Sequence, residues 1–158
     1  MDMEVFDYLN NIYLPLWEKY NELCKSLKEA EIKIAGGFFN NHSVKHNNTF
    51  ITEYFPIPVI LMENRGDIGI DIDSIWLEIK LTKEMALNLD YTQLASTYLF
   101  EVYGAENYLS DIYNEQTDIS DIVNNIHKSE ESTLCICFYF NKEVDVSELL
   151  NVINIFAV

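Results

Sequence analysis

The stretch that decides the fold is Asp67-Ile68-Gly69-Ile70-Asp71-Ile72-Asp73-Ser74-Ile75-Trp76-Leu77-Glu78-Ile79-Lys80-Leu81. In its first half Ile68, Ile70 and Ile72 alternate with Asp67, Gly69, Asp71 and Asp73. In its second half Ile75, Leu77, Ile79 and Leu81 alternate with Trp76, Glu78 and Lys80. A period of two puts Ile68, Ile70 and Ile72 on one side of the first extended segment and Ile75, Leu77, Ile79 and Leu81 on one side of the second, whereas a helix would scatter them. Asp73-Ser74 is short enough for a hairpin turn. The pattern predicts two antiparallel strands, 67–73 and 75–81, with the aliphatic face toward a core and the other face near solvent or a cleft.

Downstream, Thr82 is a cap for a short helix over 83–90. Residues 97–103 read as a strand ending at Gly104, and two acidic helices are expected over about 105–114 and 118–128. Residues 132–140 are apolar on both faces, which marks a central strand covered on both sides. The last helix is expected from Val146 to Phe156, with Leu149, Leu150, Ile153 and Phe156 on one side and Asp145 or Ser147 as its cap. Upstream, Phe6, Leu9, Tyr13, Leu16, Tyr20, Leu23, Leu27 and Ala30 recur every three or four residues, so 3–30 reads as helix, broken near Pro15. That stripe suits a helix laid across a sheet, or an arm that dimerises. Residues 31–39 read as a strand with a bulge or bend at Gly36-Gly37. Residues 40–48 form the most hydrophilic loop, and 49–55 and 58–63 are short strands parted by Pro56 and Pro58. Together these elements define a single α+β domain over 1–158: a mostly antiparallel sheet, helices packed on one side, and a long N-terminal helix with a break near Pro15.

The chain has 158 residues, enough for a sizeable core, and 49% of them are hydrophobic. Twenty-six acids against ten bases leave a net charge of −16. From Lys83 to Lys128 there are Glu84, Asp90, Glu101, Glu106, Asp111, Glu115, Asp118 and Asp121, and no base between. Nucleic acids and anionic membranes are bound by clustered Lys and Arg, so neither is an expected partner. Cys24, Cys135 and Cys137 are an odd number without metal-ligand spacing, as suits core thiols in a reducing cytoplasm. Met-Asp-Met-Glu at the amino terminus has no basic n-region, and no apolar run reaches membrane-spanning length. A cytoplasmic location is expected.

Asp67, Asp71, Glu78 and Lys80 form the leading constellation with catalytic potential. Glu78 and Lys80 share a strand face, and the hairpin brings the aspartates to it. The arrangement resembles the Asp…Glu-x-Lys core of the restriction-endonuclease-like nucleases. The resemblance implies two acids holding Mg²⁺ or Mn²⁺ and a lysine that positions the attacking water. It covers about 14 of the 158 residues, and the chain lacks the basic groove a phosphodiester needs. Asp71-x-Asp73 also resembles a nucleotidyltransferase-like site, but Gly36-Gly37 lies too far upstream to complete it. His42 and His46, four apart in an Asn-rich loop, read as solvated side chains rather than a zinc site. No cofactor or metal is expected.

The favoured reading is a non-catalytic, protein-binding or regulatory module whose partner is basic. Its expected binding face is Glu106, Asp111, Glu115, Asp118 and Asp121. The alternatives are a metal-dependent phosphoesterase using Asp67, Asp71, Glu78 and Lys80, and a structural homo-oligomer, such as a homodimer, built through the first helix.

Overall fold

The computed structural model describes residue 7 and residues 9–39, 57–71, 74–104, 120–130 and 132–156. Among the described residues there are six strands: β1 (Ile34–Phe39), β2 (Ile57–Met62), β3 (Gly66–Ile70), β4 (Ser74–Thr82), β5 (Leu99–Gly104) and β6 (Thr133–Asn141). Five α-helices accompany them: α1 (Leu14–Glu29), α2 (Lys83–Leu87), α3 (Tyr91–Thr97), α4 (Ile122–Lys128) and α5 (Val146–Ile155). The strands form an antiparallel sheet in the order β1-β2-β3-β4-β6-β5, an α+β fold. The chain divides into two compact units, one up to Trp76 plus Phe140 onward, the other Leu77–Tyr139.

In the first unit the expected break near Pro15 is a change of helix type. Leu9–Tyr13 is a π-helical turn, and α1 begins at Leu14 with Pro15 in its first turn. There the missing proline N–H removes no intrahelical bond. At the far end Glu31 takes a left-handed φ of 62°. Ile32 N–H donates to Leu27 O (3.0 Å) and Glu31 N–H to Lys28 O (2.9 Å), the paired bonds of a Schellman cap. Ile32 is itself buried. The apolar stripe of α1, with Leu16, Leu23 and Leu27 buried, is turned into this unit, where α1 packs on β1, β2, β3 and α5. Lys19 Nζ donates to Val144 O (3.0 Å), tying α1 to the segment that leads into α5. On α5 the buried residues are Leu149, Val152 and Ile153, and Leu150 and Phe156 are only half-buried. Asp145 stands at the cap position of α5, but its side chain makes no capping bond.

Three sequence expectations change here. First, residues 30–31 end α1 and β1 starts at Ile34, so the strand is shorter than 31–39. Second, β1 has no bulge: its register with β2 runs unbroken from Ile34↔Met62 to Phe39↔Ile57. Gly36 answers a different need, because a Cβ there would strike the Tyr20 hydroxyl of α1. Third, β3 ends at Ile70 and Asp71 N–H donates to Ser74 O (2.9 Å), which moves the turn one residue toward the amino terminus. Gly69 faces no solvent; a Cβ there would overlap the Trp76 indole, and the glycine is buried. Pro58 lies within β2, just beyond Val59↔Gly69, the last pair of β2 with β3, where it has no N–H to contribute.

In the second unit β4 keeps strict alternation, with Leu77, Ile79 and Leu81 buried and Glu78, Lys80 and Thr82 more exposed. Phe100↔Phe138, Val102↔Ile136 and Gly104↔Leu134 pair across β5 and β6, and the five side chains of these pairs are fully buried. Tyr91 of α3 stacks on Phe100 at 6.1 Å between centroids, and Tyr98 meets Phe138 edge-on at 5.5 Å. The Thr82 hydroxyl accepts from Met85 N–H (3.2 Å), the expected cap, but α2 ends at Leu87. A second helix then starts at Asp90, whose carboxylate accepts from Gln93 N–H (3.1 Å). Asp90-Tyr91-Thr92-Gln93 carries an N-cap acid with a glutamine three residues on, the sequence sign of that start. The helix expected over 118–128 is described only as α4, Ile122–Lys128. The expected helix 105–114, the loop 40–48 and the strand 49–55 lie outside the described residues.

Leu23 is fully buried and Leu14 is 49% exposed on the same helix. Leu23→Ala is expected to cost about 2–5 kcal/mol in urea unfolding. Leu14→Ala should stay within about 0.5 kcal/mol of the parent.

Candidate functional site

On the face of the second unit opposite its aliphatic core, polar and sulfur groups gather where a sheet face usually carries scattered surface residues. The register of β5 with β6 sets Glu101 opposite Cys137, Tyr103 opposite Cys135 and Leu99 opposite Tyr139. Glu78 of β4 belongs with them, because the Tyr103 hydroxyl donates to the Glu78 carboxylate and β6 lies between β5 and β4 in the strand order. The Tyr139 hydroxyl donates to Glu101. The Tyr103–Glu78 bond thus spans β6, the strand carrying the two thiols, and the Tyr139–Glu101 bond joins that strand to β5. Glu78, Glu101, Tyr103, Cys135 and Tyr139 are half-buried, and Cys137 is buried.

Burial and neighbouring charge set the protonation of this face. Burial pushes the Cys137 thiol up to about 12, and the fields of Glu78 and Glu101 add to it, while a hydrogen bond with Tyr139 works the other way. Burial also raises Tyr103 above the ordinary phenol value, helped by its bond to Glu78. Tyr139 is raised in the same way, by burial first and by Glu101 second. At neutral pH all three groups therefore keep their protons. A thiol attacks as its thiolate, so Cys137 is not a ready nucleophile there. What the arrangement does is hold two carboxylates in fixed positions by charge-assisted donors.

The sequence-derived residues fall as follows. Glu78 and Lys80 share the non-core face of β4, as the period predicts, with Glu78 half-buried and Lys80 exposed. Asp67 lies in β3 and Asp71 just after it, both half-buried. Among the described residues no group of three or more His, Cys, Asp or Glu side chains is placed to hold a metal ion. Of the expected acidic face, Asp121 is described and exposed at the start of α4; Glu106, Asp111, Glu115 and Asp118 lie outside the described residues, as do His42 and His46. The partners of Glu78 and Glu101 were not visible in the sequence. Tyr103 and Tyr139 stand 25 and 38 positions away from them, and strand order alone makes them neighbours.

This fold and this polar face occur in a chain that belongs to a recognised family. Residues 7–154 match the family described as "Protein of unknown function (DUF3201)". The chain is also similar to a solved structure, a conserved hypothetical protein from Pyrococcus furiosus. The two share 24% identity with a TM-score of 0.66, over 99% of this chain and 94% of that one, a likeness of fold. No curated protein matches the chain. No described helix is long and apolar enough to cross a membrane.

The raised thiol and phenols set the direction of pH dependence. The folded state holds a proton on Cys137 up to about 12, whereas an unfolded thiol releases it near 9.0. Between those values the native state binds more protons than the unfolded state, so stability falls as pH rises. Unfolding free energy is expected to owe nothing to this group below about pH 8 and to decline above pH 9. Cys137→Ala should flatten that decline, read from denaturant unfolding at a series of pH values.

Proposed function

We propose that this chain is a non-catalytic, protein-binding module of the cytoplasm whose partner presents a basic surface. The observation that carries the reading is where the charges sit. The net charge is −16, and every carboxylate among the described residues is exposed or half-buried, none buried. Two of the lysines that could offset them also give hydrogen bonds to backbone. Lys19 donates to Val144 O, and Lys83 donates to Ser129 O (2.6 Å) and His127 O (3.3 Å) at the carboxyl end of α4. The ion pairs Lys19–Glu22 (3.9 Å) and Lys33–Glu63 (3.6 Å) lie at the surface, where such pairs add little. An acidic surface of this kind steers basic partners in and repels nucleic acid. The free cysteines suit a reducing compartment. The segment richest in unopposed acids runs from Glu106 to Asp121, and we place the binding face there, on Glu106, Asp111, Glu115, Asp118 and Asp121.

The test is capture from native cytosol on immobilised protein. Basic proteins are expected at low salt, with less retained as salt rises. Replacing Asp111 and Asp118 with Asn and Glu115 with Gln, together with Asp121→Asn, should reduce capture about tenfold or more and leave the melting temperature unchanged or higher, because the lost charges repel one another. A control that neutralises Glu18, Glu22, Glu29 and Glu148 should bind as the parent does. Equal capture by the first variant would sink the assignment of the face.

A further inference from the structure

We infer that β1 is a self-complementary edge through which two copies of this chain pair, continuing the sheet across a two-fold axis at Gly36. β1 is the terminal strand of the sheet and, among the described residues, pairs with β2 alone. Edge strands are normally guarded by charge, proline, a bulge or a covering element. Residues 34–39, Ile-Ala-Gly-Gly-Phe-Phe, hold no charge and no proline, and their register with β2 has no bulge.

The backbone determines which groups face outward. Glu63 N–H donates to Lys33 O (3.0 Å), so the polar backbone groups of Lys33 point toward β2. In an antiparallel ladder these directions alternate. Ala35 and Gly37 therefore also face β2, while Ile34, Gly36 and Phe38 aim their N–H and C=O groups at the open side. A second β1 running antiparallel can use all three in one register only. Gly36 then lies opposite its own copy, and Ile34 of each chain lies opposite Phe38 of the other. Each of these pairs is of the doubly hydrogen-bonded type.

The side chains suit that register. Residues opposite each other point to the same face, so the ring of Phe38 lies beside the aliphatic Ile34 of the second copy, a favourable cross-strand pair. Phe38 is 66% exposed, the most exposed large apolar residue among those described, and Ile34 is half-buried. Gly36 at the axis carries no side chain, and the Tyr20 hydroxyl of its own chain lies over it. Helix α1 packs chiefly over β2, and two β2 strands would stand about 14 Å apart across the axis, three strand spacings. That exceeds the 8–10 Å of packed helices, so the two copies of α1 do not collide.

Charge and area settle the kind of complex. No like charges oppose each other along the paired strands, although each chain carries −16 overall. Three residue pairs bury far less than the roughly 800 Å² per partner of a stable interface, so the dimer forms only at high concentration.

Sedimentation velocity of the full chain in moderate salt, over roughly 10 μM to 1 mM, tests the inference. The parent should pass from monomer to dimer across that range. Ile34→Lys with Phe38→Lys should remain monomeric, because the lysines repel across the axis. Ile34→Glu with Phe38→Lys should restore the dimer, because each Glu then faces a Lys of the other copy. Leu61→Lys removes a neighbouring exposed apolar residue outside the register and should dimerise like the parent. Amide exchange on the parent needs no variant: the N–H groups of Ile34, Gly36 and Phe38 should exchange about tenfold more slowly at the highest concentration than at the lowest. A parent that stays monomeric throughout, a Glu/Lys variant no better than the Lys/Lys variant, or exchange at these three amides that ignores concentration would each overturn it.

Discussion

The period of two along β4 is the constraint on which the rest depends. Ile75, Leu77, Ile79 and Leu81 are all buried, and the residues between them are not. A slip of one residue would turn every aliphatic side chain outward and bring Trp76, Glu78 and Lys80 in. The cost of burying Glu78 and Lys80 without their solvation would exceed anything the strand could recover. The register of β4 is therefore strongly specified. It determines that Glu78 lies on the face where Tyr103 can reach it, and that Trp76 lies over Gly69.

A sheet face that is neither core nor open surface gives the second unit its chemical character. Glu78 and Glu101 each take a phenolic proton donor, and the thiol between them is kept protonated by burial and by their charge. Half-buried carboxylates held this way are fixed in place by the two phenols, at defined points of the sheet.

Two glycines show how packing can resemble chain geometry when only the sequence is read. A Gly-Gly pair in a strand suggests a bulge, and a glycine among alternating acids suggests an exposed position. In β1 the strand is regular, and Gly36 makes room for the Tyr20 hydroxyl. In β3, Gly69 makes room for the Trp76 indole and is buried by it. Both reasons lie in side chains elsewhere in the chain. The helix α3 escapes local periodicity for a simpler reason: Asp90 can close one helix or open another, and its carboxylate opens the next.

Local periodicity, caps and prolines were legible in the sequence because each depends on residues within one or two turns of one another. The alternation at 67–81, the Thr82 cap, the apolar strand ending near Phe140 and the change of helix near Pro15 are all of this kind. The α+β class follows from their order. Tertiary structure alone decided which strands became neighbours. Placing β6 between β4 and β5 brings Tyr103 to Glu78, and leaving β1 at the end of the order gives it β2 as its one strand neighbour among the described residues. Those outcomes rest on pairings between segments far apart in the chain. Such pairings are selected by how the buried faces fit together as a whole, and no short stretch of residues encodes that fit.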